Sequence, residues 1–357
     1  MKVFWRHALS ALLIVSLTAC GPTSKEKQMI ADLTTHMKPV CVGRFVMNVP
    51  QDMTFGGYVT LYYGLDENYQ TVDVRIESLD ATLESMRNQM NATAREIDQG
   101  DKNRQTKKSM LLDYRFLENN MIYLRKQGDL ISATGSDHEL HLLVGKTQLI
   151  LKADSYEGVP EAGRYAPNGK VETPEQVAAR LFKVASQIRA VDDPETAGPG
   201  FCLGPVVIDS DNDEEAAQLY LKTEKYPDLL ITIYSKALTP DGDEKPLLER
   251  ATHTESRFEV DVIRKGNIAM AGMKGQEWLV KGTDDHDKRV LLFRTESMHS
   301  DPTLSRPFLS MKLRAGGQPP DKREYVDSSL TPREAMALWD AIISSVQPRA
   351  NAVRPKP

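Results

Sequence analysis

The sequence predicts an α+β protein with two tandem, internally repeated domains, each a mostly antiparallel sheet with packed helices. The first observation behind this prediction is an internal repeat. Three pairs of segments resemble each other: 41–47 and 202–208, 74–78 and 231–235, and 173–176 and 331–334. The members of each pair lie about 160 residues apart and follow the same order, which indicates a duplicated domain.

The second observation is a series of short segments rich in residues that favour β-strands. These segments lie at 58–63, 72–76, 121–124, 140–144, 149–151, 229–234, 277–280, 289–295 and 308–313. Few long helical crossovers separate them. We therefore expect mostly antiparallel sheets with helices on one face.

The third observation is a capped amphipathic helix at the end of each half. Thr173 and Thr331 suit the N-cap position, because proline follows each of them and Gln or Glu stands three residues later. Apolar residues then recur at spacings of three and four, which predicts a core-facing side. A further helix is expected over 82–97, with a shorter counterpart near 247–251.

The first twenty residues have the layout of an export signal that ends in a lipid-modified cysteine. An apolar stretch at 8–17 follows two basic residues, and small residues precede Cys20. This stretch is shorter than the ~20 residues of a spanning helix, so residues 1–19 are interpreted as a cleaved signal peptide. Cys20 would then be acylated, and Gly21 after it favours the inner face of the outer membrane over retention at the inner membrane.

The rest of the chain is expected to divide at a segment rich in proline and glycine. The expected parts are a tether at 20–37, an N-terminal domain at 38–191, a linker at 192–200, a C-terminal domain at 201–350 and a tail at 351–357. The linker has no large aliphatic or aromatic residue, which is typical of an exposed connection. We accordingly expect each domain to fold by itself.

Net charge and cysteine content narrow the classes of partner. A formal charge of −5 argues against nucleic acid, which requires a concentrated basic face, and against a protein that lies flat on anionic lipid. Beyond Cys20 only Cys41 and Cys202 remain. In an exported chain this pair can form a disulfide, or two separately buried thiols, and the sequence leaves both open.

Catalytic and metal motifs are weak. The sequence has no G-x-S-x-G elbow, P-loop, G-x-G-x-x-G or H-E-x-x-H motif. His138 and His141 lie three apart in a predicted strand, where their side chains point to opposite faces. Residues 284–287 are interpreted as a solvated acidic loop. We expect no catalytic residue, no metal site and no cofactor.

One acidic segment resembles the beginning of a calcium-binding loop. Asp209, Asp211 and Asp213 have the required spacing, but Glu214 and Tyr220 stand where glycine and glutamate are needed. The segment is therefore interpreted as an acidic turn that leads into a helix-like stretch at 214–221, where helix-terminus electrostatics would stabilise it.

Several structural motifs, taken in order, resemble one known family. They are the lipid-modification signal, Lys-Pro-Val-Cys-Val-Gly-Arg-Phe at 38–45, Gly-Phe-Cys-Leu at 200–203 and Leu-Trp-Asp-Ala-Ile-Ile-Ser-Ser-Val-Gln-Pro-Arg at 338–349. The chain resembles the immunity proteins that protect bacteria from lipase effectors of the type VI secretion system (the class-four lipase immunity family). The resemblance implies a non-catalytic, two-domain periplasmic protein that grips a cognate phospholipase or lipase effector with both domains and blocks the effector's lid or active-site entrance.

The resemblance does not identify the effector-binding residues, because residues 249–274 match no motif of the family. Two other classes stay open. A lipid- or lipoprotein-binding carrier would need a sizeable apolar cavity, and an envelope hydrolase would need convergent polar residues with perturbed pKa values. A bare cleft between the domains would favour the inhibitor.

Overall fold

The protein is described from a computed structural model. The described residues are 23–63, 70–156, 172–210, 212, 214–238, 245–255, 260–298, 301–320 and 322–354. Within these ranges, no helix is long and apolar enough to cross a membrane. The expected signal peptide at 1–19 and the expected lipidation site, Cys20, lie outside them.

The two halves contain the same elements in the same order, apart from one additional helix at the start. The first half contains α1 (Ser24–Thr34), β1 (Met37–Gly43), β2 (Phe45–Pro50), β3 (Thr54–Tyr63), β4 (Gln70–Ser78), α2 (Leu83–Gln99), β5 (Leu111–Leu117), β6 (Met121–Gln127), β7 (Gly135–Val144), β8 (Thr147–Tyr156), α3 (Pro174–Ser186) and β9 (Ile188–Ala190). The second half contains β10 (Phe201–Leu203), β11 (Val206–Ile208), β12 (Glu214–Lys222), β13 (Leu230–Ala237), α4 (Leu247–Glu255), β14 (Val260–Met270), β15 (Met273–Thr283), β16 (Arg289–Ser297), β17 (Phe308–Ala315), α5 (Pro332–Ser345) and β18 (Gln347–Pro348). The predicted α+β class is confirmed.

A twelve-stranded antiparallel sheet runs through both halves. Its order is β14-β15-β16-β17-β13-β12-β3-β4-β8-β7-β6-β5, so each half supplies six strands and the two sets mirror each other. The halves meet where β12 pairs with β3, from Glu214 opposite Tyr62 to Lys222 opposite Thr54. The sequence predicted separate sheets and did not reveal this shared one.

A second sheet exchanges strands between the halves. Its order is β18-β2-β1-β10-β11-β9. Strand β9 belongs to the first half but pairs with β11, and the C-terminal strand β18 pairs with β2. If the chain were cut near Ala197 and the halves separated, the β10–β11 hairpin would lose β9 and the β1–β2 hairpin would lose β18. Strands β3 and β12 would also become open edges. The expectation that each domain folds by itself therefore does not fit this topology.

One hydrophobic core joins the two sheets. The small sheet and helices α3 and α5 pack on the same face of the large sheet. Val59 and Leu61 from the first half and Leu219 and Ile231 from the second are fully buried in this core. Thr173 and Thr331 cap α3 and α5 with complete capping boxes, as the sequence predicted.

Two local expectations are wrong, and the beginning of the tail is fixed by hydrogen bonds. Residues 24–34 of the expected tether form α1, which begins at the Thr23 cap and packs against α5. The stretch 214–222 is a strand, because every second side chain is buried against the core. The tail is pinned at its beginning, since the carbonyl of Ala352 accepts hydrogen bonds from Arg44 and from the Gly200 N–H.

Polar contacts fix the junction of the halves. The guanidinium of Arg44 donates to both carboxylate oxygens of Glu215, at 2.9 and 2.6 Å, and both side chains are buried. Arg349 donates to the carbonyls of Gly198 and Gly200, so the second part of the predicted linker is held in place and is not a free connection. Burial and the nearby charge of Arg44 lower the pKa of Arg349 to about 10, which still leaves it protonated at neutral pH.

A disulfide joins Cys41 to Cys202 beside this ion pair. The two Cα atoms are 5.5 Å apart, and 161 residues separate the cysteines in the chain. Both cysteines are buried together with Ala197 and Val207. The bond therefore links equivalent hairpins of the two halves across the shared small sheet.

Loss of this disulfide should destabilise the whole protein. For a loop this long, the chain-entropy treatment gives about 5 kcal/mol of stabilisation. A variant with Cys41→Ala and Cys202→Ala should unfold at clearly lower denaturant concentration than the oxidised wild type. Reduced wild type, the matched control, should behave like the variant. Free thiols at both positions in non-reducing mass spectrometry of periplasm-derived protein would contradict the bond.

Candidate functional site

The large sheet has one face that the described elements cover only at its two ends. At one end, Met86 and Met90 of α2 pack on Ile122 and Leu124. At the other end, Leu247 and Ala251 of α4 pack on Trp278 and Val280. No described element covers the central strands β8, β4, β3, β12, β13 and β17. We name the following set of their outward side chains the open face: Tyr58, Asp73, Arg75, Ile150, Lys152, Gln218, Tyr220, Thr232, Tyr234, Phe308, Lys312 and Arg314.

Aromatic residues of the open face lie on both sides of the junction. The strand register places Arg75 opposite Tyr58, Tyr58 opposite Gln218, and Gln218 opposite Tyr234. The Arg75 guanidinium lies 5.8 Å from the centre of the Tyr58 ring, and the Tyr234 and Phe308 rings meet edge to face at 6.2 Å. The row thus presents rigid aromatic groups, which are favoured at protein interfaces.

Tyr220 lies over the junction because its cross-strand neighbour, Gly56, has no side chain. It stands opposite Gly56 in the β12–β3 register, and its ring occupies the space that a Cβ on Gly56 would need. About a third of Tyr220 remains exposed. This glycine therefore positions an aromatic residue at the centre of the open face.

Three pockets bear on the lipid-carrier alternative, and none of them is a closed apolar cavity. A pocket of about 440 Å³ between α2 and β5 is lined by Asn91, Ala94, Arg95, Asp98, Leu111 and Tyr114, so charged and polar side chains interrupt its apolar surface. A pocket of about 280 Å³ on the open face is lined by Tyr58, Asp73, Arg75, Ile150 and Lys152, and is therefore largely polar. The apolar pocket between the small sheet and the large sheet has a volume of about 10 Å³. A bound acyl chain needs a far larger apolar cavity.

One buried cluster combines a histidine with hydroxyl groups, as a hydrolase site would, but it is not accessible to a substrate. His138 Nδ1 lies 2.7 Å from the Tyr123 hydroxyl, and His138 Nε2 lies 2.9 Å from the Ser155 hydroxyl. However, His138 is completely buried. Burial, and then the charges of Arg125 and Arg180, lower its pKa to about 4. His138 is therefore a core residue whose two ring nitrogens have hydrogen-bonding partners. It is not a catalytic residue, because a substrate cannot reach a completely buried side chain.

The other candidate metal ligands that the sequence offered, His141 and the acidic segment 284–287, do not form a metal site. His141 lies on the opposite face of β7 from His138, and its Nε2 atom lies 3.4 Å from a Glu139 carboxylate oxygen, a contact that lowers the pKa of Glu139. Asp284 accepts hydrogen bonds from the N–H groups of His286 and Lys288, which closes the turn at 284–287. In the described ranges no group of His, Cys, Asp and Glu could hold a metal ion.

The calcium-loop candidate can be followed at one residue only. Asp209 pairs with Arg354 at 2.5 Å, so its carboxylate contacts a cation of the chain. Asp211 and Asp213 lie outside the described residues.

Because His138 is neutral in the folded protein, stability should fall at acid pH. The unfolded pKa is near 6.5 and the folded pKa is about 4, so the contribution is complete above pH 6.5 and is lost as pH falls through 4. The difference corresponds to on the order of 3 kcal/mol. Between pH 7 and 4, the free energy of unfolding from chemical denaturation should fall less steeply for His138→Gln than for wild type. His286→Gln, on an exposed turn, is the control, and equal slopes for His138→Gln and wild type would refute this role.

Within the described residues, the geometry thus defines a protein whose two halves share one continuous exposed face held at a fixed junction. Residues 38–190 match the Tle cognate immunity protein 4 N-terminal domain, and residues 195–351 match the Tle cognate immunity protein 4 C-terminal domain. The chain therefore belongs to this family of immunity proteins against lipase effectors of the type VI secretion system. The resemblance found in the sequence is confirmed. No curated protein sequence matches the chain.

Solved structures share the fold. The apo immunity protein TplEi of the type VI secretion system from Pseudomonas aeruginosa is 20% identical with a TM-score of 0.60, and the match covers 88% of this chain and 98% of that chain. A chain of the crystal structure of the Tle4–Tli4 complex is 20% identical with a TM-score of 0.61, and covers 89% of this chain and 99% of that chain. The two-domain arrangement described above is therefore a fold of immunity proteins.

Proposed function

We propose that the protein is a periplasmic immunity lipoprotein that binds a cognate type VI phospholipase or lipase effector and inhibits it without catalysis. Family membership supports an immunity role against a lipase effector. The finer proposal is that the protein blocks the effector's lid or active-site entrance with both domains together. The observation that carries it is the continuous open face across the β3–β12 junction.

The geometry changes the form of the expected two-domain grip. Two hinged domains would close on a partner and would lose conformational freedom on binding. Here the β3–β12 ladder, the small sheet and the disulfide hold the halves together before any partner arrives. A preorganised surface keeps more of its contact energy as affinity. We therefore propose a fixed surface that covers the effector.

The size of the open face suits a protein partner. Six neighbouring strands at ~4.8 Å spacing span about 24 Å, which is enough for a large part of a standard patch of roughly 800 Å². The Tyr58 side chain comes from one half, and the Tyr220 and Tyr234 side chains come from the other. Both halves would therefore contribute aromatic contacts to a single interface.

Aromatic truncation on either side of the junction should weaken effector binding. Tyr58→Ala and Tyr234→Ala should each raise Kd by about 10- to 100-fold, as loss of an interface aromatic residue commonly does. Tyr325→Ala is a matched control, because Tyr325 lies off the open face and stacks on His286. Calorimetry and lipase inhibition should be measured with the intact proteins. If only one half's tyrosine mattered, the two-domain contact would be wrong; if no wild-type binding occurred, the immunity role would fail.

The lipoprotein part of the proposal rests on the sequence around Cys20. Acylation would concentrate the inhibitor at the membrane and leave the folded part in the periplasm. Cys20→Ala should move the mature protein from the membrane fraction to the soluble fraction. Gly21→Asp is the matched variant, because it should keep the lipid and shift the protein to the inner membrane. An unchanged distribution for Cys20→Ala would refute lipid anchoring.

A further inference from the structure

A group of cations lies at the second-half edge of the open face and includes one residue of the neighbouring strand β16. Arg294 on β16 stands directly opposite Lys312 on β17, and Arg314 follows two residues later on the same side of β17. We name Arg294, Lys312 and Arg314 the basic cluster. This concentration of positive charge contrasts with the net charge of −5 of the chain.

Among the described residues, the cluster has too little negative charge to balance it. Arg294 pairs with Glu296 at 2.7 Å, but Glu296 also pairs with Arg250 from α4. Arg314 donates to the carbonyl of Gln318, and its buried Nε atom has no hydrogen-bond partner among the described residues. Lys312 forms no ion pair with any described carboxylate. Its pKa is lowered by burial and by the charges of Arg294 and Arg314.

The equivalent place in the first half is balanced. In the aligned segments 74–78 and 231–235, Arg75 corresponds to Thr232, and Asp73 therefore corresponds to Leu230. On the neighbouring strands Asp73 stands opposite Lys152, whereas Leu230 stands opposite Arg314 and Thr232 opposite Lys312. The same scaffold thus places an acid opposite a cation in the strand register of one half, where Lys152 also pairs with Glu139, and omits that acid in the other half.

We propose that the basic cluster binds an acidic segment of the effector, with a carboxylate that approaches Lys312. This inference rests on the proposed function, since it supplies the charge of the partner that the open face would cover. A partner on this face would remove water from Lys312. Burial of an unpaired ammonium group is strongly unfavourable. A partner that covers the face therefore has to bring a negative group to this position.

The acid would also contribute to recognition. Thr232 stands between Lys312 and Tyr220 in the strand register, so a hydroxyl group and an aromatic ring flank the cation. An acidic segment could pair with the lysine while its apolar neighbours contact the ring. Attraction between opposite charges raises the association rate, and salt screens this effect.

The experiment measures association and dissociation of the intact effector and the intact immunity protein at low and high salt. Lys312→Glu should slow association and raise Kd by about 10-fold or more, with a weaker salt dependence than wild type. Lys312→Met should have a smaller effect. Lys108→Glu is the matched control, because Lys108 is an exposed lysine outside the open face and, like Lys312, forms no ion pair with any described carboxylate. Thermal unfolding of each variant separates a binding defect from a folding defect.

The outcomes distinguish this inference from the proposed function. Wild-type rates for Lys312→Glu would overturn the acidic contact while the immunity role stands. No binding by the wild type would remove the proposed function itself. The last measurement tests whether the protein sediments with vesicles that contain phosphatidylglycerol, an anionic lipid. Lys312-dependent sedimentation with these vesicles, together with unchanged effector binding, would assign the cluster to a lipid headgroup and overturn the proposal.

Discussion

The pairing of β3 with β12 is the interaction on which the rest of the structure depends. It joins two six-stranded sets into one sheet and removes an open edge from each half. It also sets the angle between the halves, because neighbouring strands of a sheet are held at hydrogen-bonding distance along their length. The open face is a consequence of this pairing, since its central row crosses from Tyr58 to Gln218.

The buried contacts beside this pairing act chiefly on specificity of assembly. A buried ion pair such as Arg44–Glu215 contributes little net stability, because desolvation offsets much of the attraction. Any other register would, however, bury an uncompensated charge on each side, which is strongly unfavourable. The disulfide adds a covalent constraint at the same place. Together they favour one arrangement of the halves over the alternatives that a repeated sequence could adopt.

Local signals in the sequence predicted α2, α3, α4 and α5, although α1 was missed despite a capping box at Thr23. The caps at Thr173 and Thr331 act within a few residues, so the sequence contains the whole interaction. The stretch 214–222 misled, because Glu, Ala, Gln and Leu favour helices, while its alternating burial depends on β3 and β13, which lie elsewhere in the chain. The edge strands β5 and β14 were missed because their partly exposed faces show no clear alternation of apolar residues.

The shared sheets and the open face could not be predicted for the same reason. A strand pairing between residues more than 150 positions apart leaves no local pattern, and an outward tyrosine on a strand looks like ordinary surface until its cross-strand neighbours are known. The two expected cysteine states also differ only in tertiary geometry. The repeat indicated which strands are equivalent, but it did not indicate that the equivalent strands meet.

A repeated scaffold with an open face separates the requirements of folding from those of recognition. Inward residues such as Val59 and Leu219 are constrained by the core that both sheets share. Outward residues are free of this packing, so Asp73 in one half can correspond to Leu230 in the other without a change of fold. Because the two halves are held rigidly, such a difference changes the charge at a fixed point of the surface. A protein whose binding would leave a charged group unpaired is then rejected. This rejection contributes to specificity as much as the favourable contacts of the correct partner do.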